Sequence, residues 1–262
     1  MIKVLSIAGS DPSSGAGLQA DLKTFQALGA FGMAVPAALT VQNSRGVSGV
    51  EPLTPRMISR QLEALLADIK PGAVKTGMLL TKRNVDVVAG AVKEYNLKNL
   101  VVDTVLRSSS GRTLLYPTAV SSLKKKLFPL ALIVTPNIPE AEAIAGMKIN
   151  SQEDMDYAAG KLLDLGPSYV LIKGGHGSGR ATDTLYGGKT VLEFSAPRRA
   201  GEFHGTGCVL SSAIAVFIAG GLPVEKAVGK AKQFVDRMLR TAKRAGKGRT
   251  KYFLFHSAYC RL

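Results

Sequence analysis

What this chain lacks narrows it first. Two cysteines, Cys208 and Cys260, are too few for a disulfide framework or a cysteine-rich metal site. No apolar run reaches the roughly 18 residues that cross a bilayer. The opening Met1-Ile2-Lys3-Val4-Leu5-Ser6-Ile7-Ala8-Gly9 has no separate basic region or cleavage site, so it reads as a first strand, not a signal peptide. Internal repeats, low-complexity tracts and linkers are also missing. The expectation is one domain over residues 1–262, soluble and cytoplasmic, with no membrane partner.

Acidic residues are scarce, 19 against 34 basic ones, for a formal net charge of +15. Residues 222–262 hold 11 Lys/Arg and 2 Asp/Glu, so most of the excess lies there, notably at Lys243, Arg244, Lys247, Arg249 and Lys251. That run has no interleaved aromatic platform, so a solvated face or a tail over 244–262 is expected in preference to a nucleic-acid partner. A positive field also attracts phosphorylated ligands.

What is present is alternation. Val4 to Ala8, Ala34 to Val41, Lys75 to Leu79, Leu100 to Asp103, Leu132 to Val134 and Tyr169 to Ile172 read as short buried strands. Helical patterns separate them, over Gly17–Leu28, 54–69, 85–95, 119–127, 139–145 and 154–165. Leu185-Tyr186 and Thr190–Phe194, joined through Gly187-Gly188, read as a hairpin, and an amphipathic helix runs from Val224 to about Lys243. Short apolar strands separated by helices predict a three-layer α/β/α fold around a mostly parallel sheet. Ligands then bind beyond the carboxyl ends of the strands.

The chain is organised around Phe203-His204-Gly205-Thr206-Gly207-Cys208-Val209-Leu210-Ser211-Ser212. A Gly-x-Gly turn runs into an apolar helix, whose free N–H groups and dipole suit a phosphate or carboxylate. Cys208 falls on the first turn, where that field lowers a thiol pKa; the alternative is a tight turn with a small buried cysteine.

The other strand ends are polar or glycine-rich. Gly9–Gly17 can wrap a small ligand with backbone groups, although it matches neither a Walker A loop nor a Rossmann register. Gln42-Asn43 offers amides for a heterocycle edge, or simply a turn. Asp103 can organise Mg²⁺ through water or cap a turn. Asn137 and Glu140 have capping-box spacing; the functional reading puts Glu140 in a hydrated Mg²⁺ site. Lys173, ahead of Gly174-Gly175-His176, can neutralise a nucleotide phosphate.

Six ordered motifs carry a resemblance: Ala8–Thr24, Val41–Val47, Lys75–Leu79, Thr135–Ala141, Lys173–His176 and His204–Cys208. Together they resemble the hydroxymethylpyrimidine (phosphomethylpyrimidine) kinases of thiamine biosynthesis, within the ribokinase superfamily. The resemblance implies a ribokinase-like fold and transfer of the ATP γ-phosphoryl group to 4-amino-5-hydroxymethyl-2-methylpyrimidine and then to its monophosphate. By position it implies that Gly9, Asp21, Gln42, Met78 and Val105 line the pyrimidine pocket. Gly205, Thr206 and Gly207 would form an anion hole, with Cys208 as the base. Asp103 and Glu140 would organise Mg²⁺ through water, with Asn137, Lys173 and Asp183 on the nucleotide side. A homodimer is implied as well. The chain departs from the family pattern at Arg107, an added cation after Asp103, and at Phe203, where threonine is common. Pyridoxal kinases share the chemistry and remain the nearest alternative, with a non-catalytic nucleic-acid-binding regulator the more distant one.

Overall fold

The alternation of apolar runs and amphipathic segments folds into a nine-stranded sheet with helices on both faces. The computed structural model describes residues 1–108, 111–174, 179–188 and 190–255. In chain order these make β1 (Lys3–Ser10), α1 (Gly17–Ala27), β2 (Phe31–Asn43), β3 (Gly46–Pro52), α2 (Pro55–Leu66), β4 (Ala73–Thr76), α3 (Lys82–Glu94) and β5 (Leu100–Val102). Then follow α4 (Pro117–Ser122), β6 (Ile133–Val134), α5 (Ile138–Ala145), α6 (Gln152–Leu163), β7 (Tyr169–Gly174), β8 (Ala181–Gly187) and β9 (Thr190–Ala196). The chain continues through α7 (Thr206–Ala219), α8 (Val224–Thr241) and a small hairpin of β10 (Lys243–Arg244) and β11 (Lys251–Tyr252).

The strand order is β3-β2-β1-β4-β5-β6-β7-β8-β9. Pairing is parallel from β2 through to β7 and antiparallel at both edges. The six parallel strands therefore end along one edge, where the polar loops gather. One face is covered by α2 to α6 through Ile58, Leu62, Val88, Ile144 and Leu162. The other is covered by α1, α7 and α8 through Phe25, Val209, Ile214 and Phe234. Helix α7 is apolar on every side because it is enclosed on every side, between the sheet, α1 and α8.

The expected three-layer α/β/α architecture is present, with differences in detail. Strand β2 runs well past Val41 because it pairs with β3, whose Gly46, Ser48, Gly49 and Pro52 carry little strand propensity and hid it from the pattern. The helix expected over 119–127 starts at Pro117 and becomes a π-helix over Leu123–Leu127. The expected hairpin is longer, beginning at Ala181. Residues 243–255, expected on a solvated face or tail, turn back as the β10–β11 hairpin and bury Tyr252 and Phe253. Among the described residues no helix is long and apolar enough to cross a membrane.

One interaction ties α1, the sheet and α7 together. The Lys75 ammonium sits 2.9 Å from both oxygens of Asp21, and both side chains are fully buried. Ser6 Oγ donates to the same carboxylate at 2.6 Å and Ser212 Oγ at 2.7 Å, so no Asp21 oxygen lacks a partner. A buried charge without its partner is costly, whereas a matched apolar pair is not. Asp21→Ala should therefore lose about 3–5 kcal/mol in urea unfolding, and Asp21→Leu with Lys75→Met should recover most of it. A single substitution costing under about 1 kcal/mol would show that the pair is not a structural hub.

Candidate active site

A cavity of about 1170 Å³ opens at the carboxyl ends of the parallel strands. Single-ligand pockets hold roughly 300–1,000 Å³, so this one has room for two reactants. At its centre is the start of α7. Gly205 is the N-cap, with φ 76°, and no side chain caps the helix, which leaves the Thr206, Gly207 and Cys208 amides for a ligand. A Cβ on Gly205 would strike the Gly15 carbonyl oxygen, so backbone meets backbone there and only glycine fits. A Cβ on Gly207 would lie 3.2 Å from Lys173 Nζ. The helix start thus faces a cation across a gap that only glycines keep clear.

The loop after β1 is shaped by Asp11. Its carboxylate accepts from the Ser13 and Ala16 amides at 2.8 and 2.9 Å, from the Gly15 amide at 3.1 Å and from Ser13 Oγ at 2.7 Å. Burial alone would raise its pKa, but hydrogen bonds from His204 and Ser13 hold it below the usual value.

Asp103, just past β5, binds Lys173 at 2.9 Å, Thr135 Oγ1 at 3.1 Å and Ser211 Oγ at 3.3 Å. Burial opposes its charge, yet Lys173 and Lys75 win and lower its pKa. Lys173 is raised in turn: burial disfavours its charge, but Asp103 and Glu140 overcome that. Glu140 completes a capping box with Asn137 and also accepts from Thr104 Oγ1 at 3.1 Å and the Leu106 amide at 3.3 Å. Its pKa is raised, by burial first and by the neighbouring Asp103 charge as well. Asp183 pairs with Lys232 at 2.6 Å and accepts from the Gly174 amide.

Of the residues expected at the site, Gly9, Gln42, Met78, Val105, Asp103, Asn137, Glu140, Lys173, Asp183 and Gly205 to Cys208 all line the cavity. Gly9 has no room for a side chain, since its Cβ would strike the Met78 methyl group. Two expectations are corrected. Asp21 does not line the pocket; it lies fully buried behind it, bound to Lys75. Cys208 is not biased toward thiolate: burial pushes its pKa up to about 11, and the opposing Lys75 charge does not compensate. Gly175 and His176 lie outside the described residues.

Several lining residues have no role that local sequence assigns, although Asp11, Lys75 and His204 fall inside the motifs above. Asp11, His204, Lys75, Lys232 and Tyr252 all line the cavity, and only long-range folding brings them together. Ser13, whose hydroxyl meets Tyr252, is 239 residues distant in sequence. Lys232 is indistinguishable in sequence from any other cation of the amphipathic α8.

A divalent cation fits only loosely. Among the described residues no group of three or more His, Cys, Asp or Glu side chains is placed to hold a metal. Asp103 and Glu140 have all their oxygens engaged, so their chemistry suits a hydrated Mg²⁺ reached through water and completed by ligand phosphates. Because the Cys208 thiol is protonated near neutrality, its alkylation by iodoacetamide should be slow at pH 7 and climb steeply as the pH nears about 11. A rate that plateaus below pH 8 would contradict this burial effect.

Comparison with known proteins fits this geometry. A family profile described as phosphomethylpyrimidine kinase matches residues 11–252. The chain is 40% identical over 258 residues to the hydroxymethylpyrimidine/phosphomethylpyrimidine kinase of Bacillus subtilis, covering 97% of this chain and 95% of the relative. It is 44% identical over 247 residues to a thiamine biosynthesis bifunctional protein of Geobacter sulfurreducens, covering 94% of this chain but only 50% of that protein. Among solved structures, a phosphomethylpyrimidine kinase from Clostridium difficile matches with TM-score 0.81 and 46% identity, over 90% of this chain and 99% of that one. A Staphylococcus aureus pyridoxal kinase in complex with ADP matches with TM-score 0.91 and 36% identity, over 100% and 96%.

Proposed function

Because this chain belongs to the phosphomethylpyrimidine kinase family, we propose that its cavity transfers the ATP γ-phosphoryl group to 4-amino-5-hydroxymethyl-2-methylpyrimidine and then to its monophosphate, in thiamine biosynthesis. The protein is a phosphotransferase of ribokinase-like fold, acting as one domain in the cytoplasm. The observation that carries the site assignment is the uncapped α7 N-terminus, facing Lys173 across Gly207.

Phosphoryl transfer demands in-line positioning and stabilisation of charge on the transferring oxygens more than covalent chemistry. The amides of Gly205, Thr206, Gly207 and Cys208 form the anion hole for those oxygens. Lys173, kept charged by Asp103, neutralises the nucleotide phosphates, with Asn137 and Asp183 on the same side of the cavity. Asp103 and Glu140 would hold a hydrated Mg²⁺ through water, and the ion would supply charge neutralisation of the polyphosphate. Gly9, Gln42, Met78 and Val105 hold the heteroaromatic ring. Asp21 acts at a distance, by fixing α1 against α7 and Lys75.

Cys208 is the base as its thiolate: the resting thiol first gives its own proton to solvent, and the sulfur then takes the proton of the acceptor hydroxyl. The Gly17 amide donates toward its sulfur and Lys75 favours its charged form, so both favour the thiolate, the form that can accept a proton late in transfer. Pyridoxal is the second acceptor class to test, because a pyridoxal kinase matches over the whole chain. A homodimer is proposed through the β2–β3 ribbon, where Leu39 and Val41 are exposed large apolar residues.

Cys208→Ala should lower kcat by about 10²–10⁴ with both pyrimidines while leaving the KM for ATP within a few-fold. A near-wild-type rate would make Cys208 a packing residue and leave catalysis to the anion hole. Wild-type turnover of pyridoxal alone would overturn the acceptor. Light scattering on a size-exclusion column should return twice the chain mass, and Leu39→Glu with Val41→Glu should return the monomer.

A further inference from the structure

The amide of Gln42 is held from two sides by groups whose hydrogen positions are decided by their other partners. On one side His204 Nε2 lies 2.7 Å from Gln42 and 3.0 Å from Asp11 Oδ2. Asp11 already accepts from three backbone amides and Ser13 Oγ, and its lowered pKa keeps it ionised. A bare ring nitrogen 3.0 Å from that carboxylate would set lone pair against lone pair, so Nε2 carries a hydrogen and donates. Whether the imidazole is neutral or charged, it then has no lone pair at Nε2 to offer Gln42. The amide atom that suits it is oxygen.

On the other side stands Thr40. Its single hydroxyl hydrogen is committed to the Ser10 carbonyl at 3.0 Å, so toward Gln42, 3.3 Å away, it presents a lone pair. The amide atom that suits Thr40 is nitrogen. As placed, the nitrogen faces His204 and the oxygen faces Thr40. A half-turn of the carboxamide exchanges them, and both neighbours demand that half-turn independently.

His204 cannot easily swing away. Its backbone N–H donates to the Lys251 carbonyl at 3.0 Å, and the Tyr252 ring packs edge-on against it at 5.4 Å. The β10–β11 hairpin therefore braces the imidazole from behind.

We propose that His204, locked by Asp11 and Tyr252, is a positioning residue that with Thr40 fixes the polarity of the Gln42 amide. One N–H and one carbonyl lone pair of Gln42 then remain for the cavity, in a set order. A donor beside an acceptor on one amide matches a heteroaromatic edge with a ring nitrogen next to an exocyclic amino group. The opposite order, a ring N–H beside a carbonyl, is rejected. The assignment rests on Gln42 facing the acceptor, as proposed above.

The test measures Kd by calorimetry for 4-amino-5-hydroxymethyl-2-methylpyrimidine and for its 4-oxo counterpart, which reverses the donor and acceptor. Wild type should prefer the amino compound by on the order of 10²-fold, since a mismatch strands buried polar groups. His204→Phe keeps the ring against Tyr252 but frees the amide to turn; the preference should collapse to within about fivefold, with ATP affinity unchanged. His204→Gln, which can still donate to Asp11 and Gln42, should restore it. Undiminished preference in His204→Phe overturns the inference. Gln42→Ala separates the two layers: unchanged pyrimidine affinity would sink the acceptor assignment itself. Weakened affinity in Gln42→Ala, with preference intact in His204→Phe, would sink only the role of His204. In the wild-type protein, ¹⁵N NMR of the imidazole should show Nε2 protonated, and an unprotonated Nε2 overturns the inference without any variant.

Discussion

At Gly205 and Gly15 two backbone segments touch with no side chain between them, and the candidate site depends on that closeness. It sets the uncapped α7 N-terminus against the loop after β1, so one surface gathers free helix-start amides and loop backbone. Gly17 repeats the device, since a Cβ there would strike the Gly9 carbonyl. The buried Asp21–Lys75 pair, joined to Ser212, holds the elements behind these contacts. A shift of α7 by a fraction of an ångström would disturb the glycine contact and the Ser212–Asp21 hydrogen bond together.

Three lysines of the cavity wall, Lys75, Lys173 and Lys232, each pair with an aspartate: Asp21, Asp103 and Asp183. Pairing keeps Lys75 and Lys173 charged in a wall that would otherwise favour the neutral amine. The three differ in what surrounds them. Lys75 is sealed and serves the framework, whereas Lys173 sits across from the α7 amides within reach of a ligand. The same burial that threatens a lysine's charge acts on Cys208 without a full counterweight, so its thiol rests protonated. A helix N-terminus stabilises a thiolate only when solvent or a nearby cation shares the work, and here burial outweighs both.

The Gln42 end of the cavity is built differently, from neutral hydrogen-bonding groups gathered beside a carboxylate and a carbonyl. Asp11 is central to it: one carboxylate shapes the loop over 11–16 and also lies 3.0 Å from His204 Nε2. The basic C-terminal segment joins this end through Lys251 and Tyr252. Its charge reads as a solvated surface in sequence, yet its backbone and one ring serve the cavity.

The alternation of strand and helix, the Gly-x-Gly entry to α7 and the polar residues at successive strand ends are local patterns, so the sequence by itself determined the fold class and most of the cavity wall. The capping box at Asn137 and Glu140 was legible for the same reason, because its partners lie three residues apart. Strand β3 was not, since its glycines and Pro52 lack strand propensity and it exists only through pairing with β2. Tertiary structure alone decided the rest. It moved Asp21 from pocket to framework by placing Lys75 and Ser212 around it, and raised the Cys208 thiol by burying it. It also brought His204 to Asp11 and Gln42 across 193 and 162 residues. Burial and long-range hydrogen bonding set pKa values and side-chain roles, and neither leaves a trace in a window of neighbouring residues.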